Sequence, residues 1–192
     1  KKVTVMKGTA LEVREGHEWF NEGQLYLRKG ELEQSVNAFT HAVQRGWDPA
    51  ISYLSRGVAN LLAKHPEKAF DDFTEVVKRD GQNTRALFYR CSAAMAMEKY
   101  ARASGDFTRV LEIDPGYGMA LLNRGVCYAH IGRYDEAAVD IKRAMMVAET
   151  DAQHFADNMG IWRNHLQGVL GVLHQHTDLT EEDIEKLKAF FD

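Results

Sequence analysis

The feature that most constrains this chain is a spacing of 34 residues at which side chains of matching size recur. Gly23, Gly57, Cys91 and Gly125 form a column of small residues, while Phe39, Phe73, Phe107 and Ile141 form one of large apolar residues. Three more columns keep the register without an insertion: Ser35, Ala69, Ala103 and Ala137; Ala42, Val76, Val110 and Ala144; Trp19, Tyr53, Leu87 and Leu121. A fixed period of this length marks a stack of similar supersecondary units. Within a unit, the first large residue and the small residue four positions later share one helical face. The small residue lets a second helix approach, and the later alanine and phenylalanine positions supply that helix's matching face. One helix pair buries too little to stand alone, so stacked neighbours must share a continuous core.

Turn chemistry falls where this scheme needs it. Gly30 and Gly132 separate the two helices of the first and fourth units, and His65-Pro66 occupies the corresponding turn of the second. Proline is tolerated at the first position of a helix, which is where Pro66 would stand. Between units, Asp48-Pro49, Asp80-Gly81 and Asp114-Pro115 act as breakers.

These residues resemble the tetratricopeptide repeat family, whose 34-residue pattern reads W-x₂-L-G-x₂-Y, then A-x₃-F, then a closing P. The first unit offers Trp19, Gly23, Tyr26, Ser35 and Phe39; the third offers Leu87, Cys91, Ala103, Phe107, Val110 and Pro115. The fourth offers Leu121, Gly125, Tyr128, Ala137, Ile141 and Ala144. The resemblance covers about residues 16–149 and implies an all-α, right-handed α-solenoid of four helix pairs. The expected units are 16–49, 50–83, 84–117 and 118–151, after a lead-in segment 1–15 and before a C-terminal region 152–192. The pattern departs at the family's leucine, where Glu22, Arg56, Arg90 and Arg124 stand.

That arginine column has a counterpart sixteen residues on, at Asp72, Asp106 and Asp140. The first unit carries Glu22 and Ala38 instead, so both partners are missing together. A ladder of arginines could hold phosphate or carboxylate ligands. Their joint loss in one unit favours an ion pair between the two helices of each unit, because a partly buried guanidinium prefers a bidentate carboxylate.

In this family the first helices of successive units line the concave surface, and the resemblance carries that expectation over position by position. The first unit contributes His17, Asn21 and Gln24, and the second Leu54, Ser55, Val58 and Leu62. The third contributes Arg85, Phe88, Tyr89 and Ser92, and the fourth Met119, Leu122, Asn123, Val126 and His130. Leu54, Phe88 and Leu122 serve equally well as core between repeats. As a set they describe a groove with an apolar floor and scattered hydrogen-bonding groups, which suits an amphipathic helix or an extended peptide. Relatives that grip chaperone C-termini place lysine, asparagine and arginine at positions occupied here by Phe20, Gln24, Ser55, Arg85 and Tyr89. Only Arg85 has a matching charge, so no such clamp is expected.

Beyond the repeats, Phe155, Met159, Trp162, Leu166, Val169 and Leu173 predict one long amphipathic helix over about 152–174, capping the last unit; Gly168 and Gly171 weaken it. A short helix follows from Thr180, with Asp183 three positions on as an imperfect capping box and Ile184, Leu187, Phe190 and Phe191 as its stripe. Thr9-Ala10-Leu11-Glu12 is a further capping box before the first unit, and Val3, Val5 and Met6 carry no assignment.

Composition excludes other classes. The 192 residues are 45% hydrophobic and 27% charged with a net charge of −4, the balance of a folded soluble protein without the basic stripe of a nucleic-acid binder. No apolar run approaches the roughly 18 residues that span a bilayer, and the basic start at Lys1-Lys2 is too short for a signal peptide. A first residue other than methionine is compatible with a processed chain or a fragment. Cys91 and Cys127 fall in apolar helical patterns, which reads as buried free thiols and a cytoplasmic, reducing compartment. His174 and His176 lie two apart and His154 and His165 eleven apart, neither a spacing that shares a metal ion, and no catalytic or nucleotide-binding fingerprint occurs. The expectation is a non-enzymatic protein-interaction module or scaffold without cofactor or metal, an adaptor, co-chaperone or assembly factor that holds a protein or peptide. The alternatives are a self-associating structural protein, a homodimer whose C-terminal helix docks in a groove, and a regulatory domain of a larger protein.

Overall fold

The computed structural model describes residues 15–150 and 163–189, and among these there are ten helices and no strand. The repeats consist of α1 (Gly16–Lys29), α2 (Leu32–Gln44), α3 (Pro49–Leu62), α4 (Pro66–Arg79), α5 (Thr84–Ala96), α6 (Tyr100–Ile113), α7 (Gly118–His130) and α8 (Tyr134–Thr150). After them come α9 (Arg163–His176) and α10 (Glu181–Ala189). Each odd helix of the first eight packs against the even helix that follows, and each even one against the next odd one, so the chain stacks as a solenoid. No helix among the described residues is long and apolar enough to cross a membrane.

Local chemistry sets the helix ends. The Glu15 N–H donates to Glu18 Oε2 at 2.8 Å, closing a capping box at α1. Asp48 Oδ1 accepts from the Ile51 N–H ahead of Pro49, and Asn83 Oδ1 accepts from the Ala86 N–H at the start of α5. The turn inside each unit is one structure used four times. Gly30, Lys64, Glu98 and Gly132 stand 34 apart with φ of 76°, 61°, 58° and 79°. After each, the next residue's N–H returns to a carbonyl five positions back: Glu31 to Tyr26, His65 to Asn60, Lys99 to Ala94 and Arg133 to Tyr128, at 2.8–3.0 Å. This left-handed cap satisfies the last helical carbonyls. The glycine reading of units one and four thus extends to a lysine and a glutamate that adopt the same strained conformation.

Close approach of the two helices explains the small column. A Cβ added at Gly57 would lie 2.6 Å from the Phe73 ring, and one at Gly23 would lie 2.7 Å from Phe39. At Gly125 it would meet Ile141 at 2.8 Å and the Ala137 carbonyl at 3.0 Å. Phe39, Phe73, Phe107 and Ile141 are all fully buried. Burial also deepens along the array: α1 buries Gly16, Phe20 and Gly23, whereas α7 buries ten of its thirteen residues.

The C-terminal expectation holds where it can be followed. A helix runs through Val169 and Leu173 to His176, and both of those apolar residues are buried. Thr180 and Asp183 form a reciprocal cap on α10: the Thr180 N–H donates to Asp183 Oδ2 at 2.9 Å, and the Asp183 N–H to Thr180 Oγ1 at 3.1 Å. Ile184 and Leu187 are buried beneath it. The capping box at Thr9–Glu12, the apolar residues Phe155, Met159, Trp162, Phe190 and Phe191, and the side chains of Leu166 and His165 lie outside the described residues.

Two substitutions test this geometry. Gly57→Val forces Phe73 from its place and lowers stability by about 1–3 kcal/mol, read as a fall in the urea midpoint. Lys64→Gly relieves the left-handed turn and raises stability by about 1 kcal/mol, read as a higher Tm with unchanged helical circular dichroism.

Candidate functional site

The arginine column forms forks within its own units. Arg56 donates from Nη2 to Asp72 Oδ1 at 2.6 Å and from Nε to Oδ2 at 3.0 Å. Arg90 meets both Asp106 oxygens at 2.7 Å, and Arg124 meets those of Asp140 at 2.6 and 2.8 Å. Burial works against the Arg56 charge, but its bonds and attraction to Asp72 outweigh that and hold the guanidinium pKa above its ordinary value. At Arg124 the bonds to Asp140 lead, with the same result. These arginines are structural members linking first and second helices.

The forks also reach across unit boundaries, which the sequence reading missed. Arg56 Nη1 donates to Thr40 Oγ1 at 3.4 Å, and Arg124 Nη1 to Thr108 Oγ1 at 3.2 Å, each threonine belonging to the preceding unit. Thr40, Thr74 and Thr108 stand 34 apart, and each hydroxyl donates to the carbonyl four residues back. The column was visible as a repeat. Its meaning was not, because its partner comes from another unit. In the first unit Glu22 and Ala38 leave a cleft of about 460 Å³ instead, shared with Trp19, Tyr26, Glu33, Gln34 and Asn37.

Among the residues expected to line an inner face, His17, Asn21 and Gln24 of α1 are exposed, and the His17 and Trp47 ring centres lie 5.6 Å apart. On α3, Ser55 and Val58 are half-buried beside Leu54, and Leu62 is exposed. On α5, Arg85 is exposed with its guanidinium 5.8 Å from the centre of the half-buried Tyr89 ring, which stacks on Phe73 at 5.5 Å. Phe88 is core, packed edge-on to Phe107 and tilted against Tyr117. Ser92 is buried too, its hydroxyl donating to the Phe88 carbonyl at 2.9 Å.

The fourth unit differs from the expected open groove. Met119, Leu122, Asn123 and Val126 are all buried, and only His130 stays exposed, stacked flat on Tyr100 at 3.9 Å. The sequence pattern cannot foresee this, since inner-face positions become core once a further segment lies on them. Of the residues expected to line a groove, those that remain accessible or half-accessible lie on α1, α3 and α5, together with His130 at the end of α7.

Charge is segregated as well. Helices α3, α5 and α7 contain no aspartate or glutamate, and the carboxylates that pair with their arginines come from α4, α6 and α8. With Arg56, Arg90 and Arg124 engaged in forks, Arg85 is the cation of these three helices that faces solvent. Both thiols are free and buried; burial holds Cys91 well above the usual range and pushes Cys127 up to about 12. Neither is a nucleophile at neutral pH in the folded state. A further cleft of about 520 Å³ lies between α9 and α10, lined by Leu170, Gly171, His174, Ile184 and Lys188 among others.

A stack of helix pairs joined by repeated turns, with a small residue of the first helix set against a large apolar residue of the second, defines a helical-repeat protein of the solenoid class. A profile of the tetratricopeptide repeat family matches residues 20–84 and 92–145, more than half of the chain. The protein belongs to the tetratricopeptide repeat family. No curated protein sequence matches it. Among solved structures it resembles MamA 41-end from Desulfovibrio magneticus RS-1, with a TM-score of 0.73, 15% identity, and coverage of 92% of this chain and 93% of that one. It also resembles YrrB, described as a TPR protein with an unusual peptide-binding site, at a TM-score of 0.65 and 21% identity over 69% of this chain and 68% of that chain. The first TPR of Spaghetti (RPAP3), solved bound to the HSP90 peptide SRMEEVD, is similar at 0.56 and 20%, covering 62% of this chain and 96% of that one. At these identities the likeness is one of fold.

The fork makes a measurable claim. Arg124→Met leaves Asp140, 2% exposed, without its cation and lowers stability by about 3–5 kcal/mol. Adding Asp140→Leu removes the stranded charge and recovers most of that loss; additive losses in urea denaturation would show that the pair is not coupled.

Proposed function

We propose that this protein is a protein-interaction module whose concave face, formed by α1, α3 and α5, holds a peptide or an amphipathic helix. The observation that carries the proposal is the exposure of matching positions on successive first helices. His17, Asn21 and Gln24 on one helix, Ser55 and Val58 on the next, and Arg85 and Tyr89 on the third remain open or half-open on successive first helices. Apolar floor and hydrogen-bonding groups alternate there, the mixture that lets a groove take both side chains and backbone. Peptide binding by YrrB and by the Spaghetti domain shows that this fold can serve such a role. An adaptor, co-chaperone or assembly factor is the kind of protein this describes. Two buried unpaired thiols suit the reducing interior of a cytoplasm.

With no carboxylate on α3 or α5, the groove favours a ligand carrying at least one acidic group near Arg85. Selection from a displayed peptide library followed by calorimetry tests this. Ligands recovered on the wild type bind Arg85→Glu and Tyr89→Ala variants about tenfold or more weaker. Ligands that bind both variants as tightly as the wild type would move the site off this face. A chain that instead selects nothing and doubles its light-scattering mass with concentration would favour the self-associating alternative.

A further inference from the structure

What α1, α3 and α5 leave open is shut on α7. Met119 and Asn123 occupy the columns of Arg85 and Tyr89, yet neither is more than 1% exposed. α9 lies against α7, and its Val169, Leu170 and Leu173 join the core that contains Met119 and Val126. In the regular stack a first helix rests chiefly on the second helix of the preceding unit, as α5 does on α4, with only light contact to α3. α9 reverses this and touches α7 more than α8. It lies across the fourth unit's inner face rather than continuing the stack.

As an occupant α9 fits poorly in three ways. The Asn123 carboxamide is wholly buried, and neither its nitrogen nor its oxygen has a hydrogen-bond partner among the described residues. A helix spends its backbone groups on its own ladder and has none to offer that amide, which has lost its water for nothing in return. Gly168 and Gly171 sit inside α9 with open space where a Cβ would stand. Unlike Gly57 and Gly125, they weaken their helix with no close packing to require them. Finally, an ion pair tying this segment to the repeats, Lys142 to Asp178 at 2.8 Å, is exposed at both ends and contributes little.

We infer that α9 forms a displaceable cover over the inner face of α7, and that lifting it extends the groove by a fourth unit. The inference rests on the groove reading above and adds a closed state in which this chain's own α9 occupies part of the binding surface. Opening is a local event, drawn from the less stable end of the molecule, and leaves α1–α6 folded.

The test uses the full chain and no ligand, so its outcome is separable from that of the peptide-binding experiment. Hydrogen exchange by mass spectrometry reads α9, and alkylation of a Met119→Cys variant reads the covered face, with Cys91 and Cys127 as internal controls. Amides of α9 exchange at least about tenfold faster than those of α5 and α6, and the thiol introduced at 119 reacts ahead of both native thiols. Gly168→Ala combined with Gly171→Ala adds no clash, strengthens α9, and slows both readouts by about tenfold. If α9 exchanges only with the whole array, or if the double alanine variant changes neither rate, the cover is a fixed cap and the inference fails. Should Met119→Cys not fold, α9 exchange in the wild type and the double alanine variant decides alone.

Discussion

Everything in this molecule follows from how closely two helices can approach. Gly23, Gly57 and Gly125 give up a side chain so that Phe39, Phe73 and Ile141 can lie directly on a helix backbone, with no room left for even a methyl group. That contact fixes the distance and angle within a pair, and the repeated left-handed turn at Gly30, Lys64, Glu98 and Gly132 fixes the return of the chain. Once the pair is rigid, its outer surfaces repeat every 34 residues and the next pair can dock in only one way. Where the third unit has Cys91, the column still stays small and the thiol is sealed from solvent.

Polar forks add register to this packing. Arg56, Arg90 and Arg124 each bind an aspartate on the partner helix, and two of them also reach a threonine of the preceding unit. A fork is geometrically demanding and tolerates little sliding, so it specifies alignment more than it adds net stability. It also moves the acidic members onto the second helices. The first helices α3, α5 and α7 are thereby left without carboxylates, a by-product of how the array is held together.

The two ends of the array are solved differently. At the first unit the fork is absent and a cleft stands in its place. The last unit has α9 packed on its first helix, where Met119 and Val126 are buried together with an asparagine whose polar atoms find no partner among the described residues. A terminal repeat needs some cover for its apolar surface. Here that cover is α9, which packs on α7 more than on α8.

By itself the sequence determined the fold, because a solenoid is built from local, periodic contacts: the columns at Gly57 and Phe73, the breakers at Pro49 and Pro115, and the cap at Thr180 and Asp183 each act within a few tens of residues. It also disclosed the arginine–aspartate forks, since both partners lie in one unit at a constant separation. Lys64 and Glu98 escaped it, because a turn imposed by the packing of its flanking helices overrides the local preference for glycine. The threonine column escaped it because its partner lies in another unit. Only the tertiary structure decided which inner-face positions are surface. Asn21 and Asn123 share a column and a residue type, yet one faces solvent and the other is sealed, because burial depends on what lies above a residue, and at α7 α9 arrives from outside the period.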